Sequence, residues 1–557
     1  MASPAQQSSA PALSRRDDAG RPQHDIGGRP LPAFPCFPAP PGPPGTPGPP
    51  PGTTGTLFLK PPAAGWARGC LIAVNLAAVT FFLLWYSRHG VGFGPYRIDL
   101  DVYRIGSAEW LHGGDLYGAL PPTSSGVRLP FSYPPMAAVL LAPLALVPMP
   151  VAATLLTLLT VALTALVLRL FLRSVLAIPI PARALAGAAD RLRSPSPPCP
   201  SPSCPSPSRP SSSCPPSARP AFSSPVPMAS WWSVGWLLPA ALFLEPVRNT
   251  LNYGQVNVAL MALVAADCLV GAPRWPRGAL VGIAAAVKLT PAAFVLFFLL
   301  RRDWRAAGLA ALSFCACAGI GFLLAWRDSV EYWTSVIFQA GRPGAPDYAA
   351  NQSIQGVLAR AGLDPHSPAG AVTWLALSVV VVALAIRGMR SAFAASADAW
   401  ALSLNAFAGL LISPISWSHH WVWGETAVLT LAILGWRCLD PRGGTLAAVG
   451  AVLFAVSPQW WLPSGGNREL HWAAWEQAAG SSYVIFAALV LLAACIVVPA
   501  ASGEGASRRE GRSSGWRANR RPQAPAGADG AGTAGDAASA GDAASASGAS
   551  SAGDNQR

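Results

Sequence analysis

The chain has 557 residues, of which 52% are hydrophobic and only 12% are charged, whereas about 25% of the residues of an ordinary soluble domain are charged. Together with repeated apolar runs of about 20 residues, this composition excludes a soluble globular protein and predicts an all-α protein that crosses a membrane many times. The formal net charge of +13 comes mostly from arginines near the ends of apolar runs, a pattern that favours the positive-inside rule over nucleic-acid binding.

Both ends of the chain and one internal segment have compositions that cannot bury a core. Residues 1–62 are rich in Pro and Gly and predict a disordered arm, which is too long and too proline-rich for a secretory signal. Residues 182–228 contain SPSPPCPSPSCPSPSRPSSSCPPSARP and predict a disordered insertion without catalytic residues. Residues 501–557 predict a low-complexity tail. The membrane domain is therefore predicted to span residues 63–500.

Within that domain the apolar runs predict about 11–13 transmembrane helices. In chain order, the runs lie at residues 66–86, 135–148, 151–171, 231–244, 256–270, 279–300, 306–326, 371–386, 400–412, 420–436, 445–462 and 483–498. Clusters of arginine predict cytoplasmic turns at residues 301–305, 387–390 and 437–442. Counting spans backward from these turns places three polar loops outside, at residues 327–370, 413–419 and 463–480, and counting forward from a cytoplasmic N-terminus places residues 95–135 there too. The same count places the basic insertion outside, which the positive-inside rule disfavours, so its side stays open.

The first predicted outer loop, residues 95–135, is a polar and aromatic island between apolar runs. It carries the carboxylates of Asp99 and Asp101 just beyond the first span, with tyrosines such as Tyr103 and Tyr133 interleaved among the charges. Aromatic faces beside carboxylates suit sugars, whose CH faces stack on rings while their hydroxyls donate hydrogen bonds. Aromatic residues also collect at membrane interfaces, so the tyrosines have an alternative explanation.

The segment SPISWSHH places Trp417 beside the adjacent histidines His419 and His420, on the same predicted side as the first outer loop. Paired imidazoles at a span end suit phosphate binding, or hydrogen bonds to the backbone. The sequence lacks HExxH or similar ligand spacing, and its ten cysteines lack paired CxxC motifs. No metal site is predicted.

Lys288 lies within an apolar run and is followed by Pro291. A charged side chain inside a membrane is expensive, so a functional partner is expected. A lipid phosphate would suit it, and snorkelling to the interface is the alternative. The proline frees backbone groups and predicts a break in the helix.

Two further polar segments flank apolar runs. The segment NYGQVN contains Gln255 and Asn257, and the segment NQS contains Asn351 and Gln352. The second also matches a glycosylation sequon, although a loop of the active site is the preferred interpretation.

The longest motifs occur in one order, from about residue 66 to residue 498. They read DLDVYRIGSAEWLHGGDLYG, LPFSYPPMAAVLLAPLALVP, GQVNVALMALVAAD, GIAAAVKLTPAAFVLFFLLRRDWRAA, NQSIQGVLAR and ISPISWSHHWVW. Together they resemble glycosyltransferase family 87, whose members have the GT-C fold and are α-mannosyltransferases that depend on polyprenyl-phosphate mannose. The insertion and both tails depart from the family pattern.

The resemblance implies roles for particular residues. Asp99 matches the presumed catalytic base, and Asp101 occupies a variable position and ranks second. Lys288, His419 and His420 match positions suited to the donor phosphate. The remaining candidates are expected to contact substrate: Tyr103, Tyr133, Gln255, Asn257, Asn351, Gln352 and Trp417. No metal, cofactor or nucleotide sugar is implied.

The predicted function is an inverting transfer of a hexose, first of all mannose, from a polyprenyl-phosphate donor to a glycolipid or glycan acceptor of the cell envelope. The site is predicted on the extracytoplasmic side of the cell membrane. The main alternative is a transporter or lipid-carrier flippase, because transporters use broken helices and intramembrane charges. A scaffold that has lost activity is a further alternative, disfavoured by the intact motifs. The sequence does not name the acceptor.

Overall fold

The computed structural model describes residues 97–178 and 231–497, apart from residues 340, 343 and 439, and two isolated positions at 73 and 76. Within these ranges the chain is helical, as predicted, and its one extended pairing is an isolated antiparallel bridge between Asn351 and Trp417. Nearly all of the first predicted span, the N-terminal arm, the Pro/Ser insertion and the C-terminal tail lie outside the described residues.

Helices occupy the predicted apolar runs of the described segments. The α-helices are α1 (Ile98–Leu111), α2 (Pro135–Ala145), α3 (Met149–Leu176), α4 (Trp231–Phe243), α5 (Glu245–Tyr253), α6 (Asn257–Leu269), α7 (Ala279–Val287), α8 (Val295–Leu300), α9 (Trp304–Leu324), α10 (Trp326–Thr334), α11 (Ile354–Arg360), α12 (Pro368–Ala394), α13 (Asp398–Ile412), α14 (Trp423–Cys438), α15 (Pro441–Val456), α16 (Ala474–Gly480) and α17 (Ser482–Val497). Short 3₁₀ helices lie at Thr290–Phe294, Val336–Phe338, Ser418–His420, Pro458–Trp461 and Arg468–His471.

Three of the described helices, α3, α9 and α12, are long and apolar enough to cross a membrane. The pair α16 and α17, bent by 71°, makes a fourth if it acts as one span. Several other apolar runs of the described segments contain shorter helices, such as α2, α6 and α13. Within the described residues, fewer helices therefore have the length of a full span than there are predicted apolar runs.

The apolar run that carries Lys288 shows how a run is divided. Helix α7 ends at Val287, and Lys288 has an extended backbone with φ −147° and ψ 125°. Pro291 follows inside a 3₁₀ helix, because its ring removes a backbone donor and excludes the preceding turn of an α-helix. The predicted break is confirmed, and it leaves the lysine at an interruption in the helix.

Helix α13 lies in the main apolar core, with Leu402, Leu404 and Phe407 fully buried. Its Asn405 side chain donates to the backbone oxygen of Ala293, 3.1 Å away, which ties α13 to the broken helix. Helix α13 ends at Ile412, where the chain enters the segment that carries the histidine pair. The core thus fixes both the break and the start of that segment.

Helix α1 is held by two close approaches. A Cβ on Gly106 would meet the ring of Phe131 at 2.4 Å, so a glycine is required for this packing. Gly254, at φ +73°, ends helix α5 in the left-handed region that favours glycine, and a Cβ there would meet Leu100 at 2.7 Å. The reversal at Gly254 brings the next residue, Gln255, against α1.

Candidate active site

A cavity of about 540 Å³ opens where α1, the end of α5, the break after α7 and the histidine segment meet. Most of the predicted site residues line it: Asp99, Tyr103, Tyr133, Gln255, Lys288, Trp417, His419 and His420. These residues are up to 321 positions apart in the chain, and the fold brings them to one place.

Asp99 is held by a short hydrogen-bonded relay. Gln255 Nε2 donates to Asp99 Oδ2 at 2.7 Å, and the Tyr103 hydroxyl donates to Gln255 Oε1 at 2.7 Å. The Tyr133 hydroxyl lies 3.1 Å from that of Tyr103 and 3.4 Å from the same amide oxygen. Since a hydroxyl donates to the amide oxygen, the amide nitrogen must face the carboxylate. The relay therefore orients Asp99.

Burial raises the pKa of Asp99 to about 6, from an ordinary value of 3.8. The hydrogen bond from Gln255 and the positive charge of Lys288 act in the opposite direction and lower the pKa. A carboxylate with a pKa close to neutral is well suited to take a proton from a substrate and release it later.

Lys288 places a positive charge in the lining of the cavity. Its Nζ donates to Asn257 Oδ1 at 3.0 Å and lies 3.0 Å from His420 Nε2. Because an ammonium group only donates, His420 Nε2 accepts and is unprotonated in this arrangement. The ammonium also lies 5.5 Å from the ring centroid of Tyr133. Among the described residues the ion pairs do not include Lys288, so its charge remains available for an anionic ligand.

His419 is buried between two rings, with centroids 5.1 Å from Tyr253 and 4.8 Å from His420. Its Nε2 has no hydrogen-bond partner among the residues that the structure describes. Its backbone oxygen accepts from Thr250 Oγ1 at 3.0 Å and from Asn257 Nδ2 at 2.9 Å. An unpartnered buried imidazole nitrogen at a cavity wall is suited to a polar ligand.

Asn257 therefore connects Lys288 to the histidine segment. It was predicted to contact substrate, and the structure places it in a smaller adjoining cavity of about 60 Å³. From there its side chain holds both Lys288 and the backbone of His419.

The other predicted site residues lie outside the main cavity. Asp101 Oδ2 accepts from the backbone nitrogen and the hydroxyl of Ser124, at 2.7 and 2.8 Å. Asn351 accepts from the backbone of Ser416 at 3.0 Å, and Gln352 donates to the backbone oxygen of Gly480 at 2.6 Å. These contacts hold loops together, and the proposed substrate or catalytic roles of the three side chains stay predictions.

The sequence analysis missed several residues that line the cavity, notably Tyr253, Tyr348 and Trp460. It also missed Glu245, which is buried behind the lining and binds Ser418 and Trp460. An acidic residue directly after an apolar run was the one available signal for Glu245. Tyr348 and Trp460 come from separate loops and carry no local pattern that sets them apart from other aromatic residues.

The comparisons with known proteins point in one direction. The model of glycosyltransferase family 87 matches residues 131–414. A polyprenol-phosphate-mannose-dependent alpha-(1-2)-phosphatidylinositol mannoside mannosyltransferase of Mycobacterium tuberculosis is 38% identical over 433 residues, which cover 77% of this chain and 91% of that protein. A protein of the same name from Mycolicibacterium smegmatis is 37% identical over 446 residues, covering 76% and 91%.

A more distant relative carries a related name. A polyprenol-phosphate-mannose-dependent alpha-(1-2)-phosphatidylinositol pentamannoside mannosyltransferase of Mycobacterium tuberculosis is 30% identical over 415 residues, covering 72% of this chain and 82% of that protein. No solved structure matches the chain significantly. The resemblance found in the sequence motifs is confirmed: the chain belongs to glycosyltransferase family 87 and is a multi-pass membrane glycosyltransferase.

Proposed function

We propose that this chain transfers mannose from a polyprenyl-phosphate carrier to a phosphatidylinositol mannoside or a related glycolipid, in a single displacement with inversion. The observation that carries the proposal is the meeting of Asp99, Lys288 and the histidine pair around one cavity. The names of the relatives support the donor and the acceptor class.

Asp99 is the proposed base. Gln255 occupies Oδ2, and within the described residues no donor is bound to Oδ1. That oxygen is free to accept the proton of an acceptor hydroxyl as the hydroxyl oxygen attacks the anomeric carbon. A single displacement needs one base and not the carboxylate pair of a retaining glycosidase.

The donor phosphate is proposed to bind at Lys288 and the two histidines. As the glycosidic bond breaks, negative charge grows on the departing phosphate. The half-buried ammonium of Lys288 beside it stabilises that charge most in the transition state, where the charge is largest. The third proton of Lys288 and the unpartnered Nε2 of His419 provide the polar contacts. This division leaves Asp99 for the acceptor and the cation for the donor.

The finer points of architecture belong to the same proposal: a GT-C fold, about 11–13 spans in the whole chain, and an active site on the extracytoplasmic side. Val127 lies in the loop after α1, three residues beyond Ser124, which donates to Asp101, and it is 48% exposed. Val127→Cys, in a background without native cysteines, should react with a membrane-impermeant maleimide in intact cells. Labelling only after the cells are opened would place the site on the cytoplasmic side and overturn this part.

The decisive experiment is transfer by the purified full chain. Labelled mannose on a short polyprenyl phosphate should appear on a phosphatidylinositol mannoside acceptor in detergent. The transporter alternative, which the comparisons do not support, predicts that the label stays on the carrier. Absence of transfer to any mannoside would overturn the proposed function.

A further inference from the structure

An aromatic wall lies on the loop side of the cavity and is not used by the chemistry described so far. It consists of Trp417, Tyr348 and Trp460, all partly exposed and all lining the cavity. The ring centroids of Tyr348 lie 6.0 Å from Trp417 and 6.3 Å from Trp460. The middle ring stands edge to face with its neighbours, at 68° and 69°. Each tryptophan ring uses at most one of its two faces in its contact with Tyr348.

Trp417 is fixed in its place by backbone contacts. Its main chain pairs with Asn351 in the antiparallel bridge. Gly344, at φ +146°, lies against its ring, where a Cβ would come within 2.9 Å of Cζ2. The ring is therefore seated before any ligand arrives, which reduces the entropy lost on binding.

Trp460 is fixed by a buried carboxylate. Its Nε1 donates to Glu245 Oε1 at 2.8 Å. The same Glu245 accepts from the Ser418 hydroxyl at 2.7 Å and from the Tyr483 hydroxyl at 2.9 Å. Ser418 directly follows Trp417, so one carboxylate holds both ends of the wall. Hydrogen-bond donors that converge on one carboxylate stabilise its ionised form.

The wall and the cationic part of the cavity belong to different parts of the fold. Lys288 comes from a broken apolar helix, where a lipid phosphate would arrive from the bilayer. Tyr348 and Trp460 come from the polar segments that follow α10 and α15. The histidine segment connects the two regions: it begins with Trp417 of the aromatic wall, and its His420 contacts Lys288. This arrangement provides separate places for a lipid donor and for a hydrophilic acceptor.

We infer that the wall of Trp417, Tyr348 and Trp460 is a subsite for the glycan of the acceptor, so that the enzyme binds an oligomannoside and not only the sugar that receives the new bond. Flat aromatic faces bind the CH faces of sugars, and the ring spacing is comparable to the length of a hexose unit. Glu245 is the positioning residue that holds the wall. This inference rests on the proposed function, because it assigns the acceptor side of the same site.

The test compares two soluble acceptors with the same short alkyl chain, an α-monomannoside and an α-linked trimannoside. Their kcat/KM values are measured with the purified full chain and a short polyprenyl-phosphate mannose. The wild-type chain should favour the trimannoside by about tenfold or more, and Tyr348→Ala and Trp460→Ala should each remove most of that preference.

Trp461→Ala is the matched control, because Trp461 is the neighbour of Trp460 but is 69% exposed and lies outside the cavity lining. It should keep the wild-type ratio. A wild-type chain that uses both acceptors equally, or wall variants that keep the trimannoside preference, would overturn the inference while leaving the proposed function intact. Should Trp460→Ala fail to fold, Tyr348→Ala decides the question alone. Transfer to neither acceptor would instead contradict the proposed function.

Discussion

Asp99 combines a half-buried position with one short hydrogen bond, and the two have opposite effects on the pKa of its carboxyl group. Burial disfavours the ionised carboxylate, while Gln255 and the charge of Lys288 favour it. The result is a pKa of about 6. A carboxylate with a lower pKa would be a weaker base, and one with a much higher pKa would carry a proton at neutral pH.

Asp99→Asn should lower the rate of transfer by about 10²–10⁴-fold, because the amide cannot take the proton. Folding raises the pKa of Asp99 from 3.8 to about 6, so the carboxyl group costs the folded state no ionisation free energy below about pH 3.8, and the full cost is present once the pH has risen through about 6. The variant should therefore melt no lower than the wild type at pH 7.5. Radiolabel transfer and thermal melting in detergent measure both effects. A variant that retains transfer would remove Asp99 from the role of base.

The pH profile of kcat/KM should show an acidic limb with its midpoint near pH 6, falling about tenfold per pH unit below that value as Asp99 takes up a proton. Gln255→Leu should move the limb to higher pH, because the lost hydrogen bond favoured the ionised form. Gln355→Leu is a suitable control, since Gln355 lies outside the cavity lining. A limb that stays in place in Gln255→Leu would show that another group sets it.

At the scale of single residues, the sequence identified several polar side chains that gather at the cavity but not their hydrogen-bond partners. Charges beside or within apolar runs stand out, which is why Asp99 and Lys288 were visible as candidates. The hydrogen-bond partners of these residues could not be predicted. Gln255 binds Asp99, whereas Ser124 binds Asp101. Which residue each carboxylate meets depends on how the 14-residue helix α1 is rotated about its axis, and tertiary packing sets that rotation.

At the scale of elements, the site is built where helices stop. Helix α5 ends at Gly254, α7 ends before Lys288, and α13 ends before the histidine segment. Each ending leaves backbone groups and polar side chains free to face the cavity. Within membrane proteins such interruptions are tolerated where they line a cavity. Glycine and proline made two of these endings predictable from the sequence.

The sequence did not predict which of these helix ends would meet in space, and the contacts of Glu245 illustrate why. Its partners Ser418, Trp460 and Tyr483 lie at least 173 positions away in the chain. No local pattern indicates such a contact. The aromatic wall was invisible for the same reason, apart from Trp417, which lies in a recognisable motif.

Glu245→Gln should raise the KM for an oligomannoside acceptor by about tenfold with a smaller change in kcat, because the neutral amide accepts weaker hydrogen bonds from Ser418 and Trp460 than a carboxylate does. The KM for the donor should change less. The measurement is initial-rate kinetics with each substrate varied in turn.

Asp267→Asn serves as the matched control for that variant. Asp267 is also fully buried and accepts from Trp275 Nε1 and the backbone of Gly278 and Val281, but none of these residues lines the cavity. It should leave both KM values near those of the wild type. Equal effects of the two variants would reduce Glu245 to a general structural residue.

At the scale of the whole molecule, the class of protein was set by composition, while the number of full-length spans was not. Window hydropathy finds apolar stretches but does not register where a helix breaks inside one, as at Lys288. Short helices such as α2 and α13 therefore have the composition of spans without their length. The family could be predicted because its motifs are short, ordered and rich in polar residues.

Removal of residues 182–228 should leave the rate of transfer within about twofold of the wild type, since the composition of this segment predicts no packed core. The described residues that line the cavity all come from other parts of the chain. Expression of the shortened chain, followed by the transfer assay, tests the expectation. A folded but inactive product would assign the insertion a part in catalysis.

The double use of Asn257 has a mechanical consequence. One amide restrains the ammonium of Lys288 with its oxygen and the main chain of His419 with its nitrogen. A phosphate that pulls the ammonium away competes for that amide and loosens a tether of the neighbouring segment. If the carrier phosphate binds at Lys288 as proposed, we expect its arrival to be transmitted to Trp417, two residues before His419, and a drug that imitates only the phosphate should then also disturb the proposed sugar-binding surface.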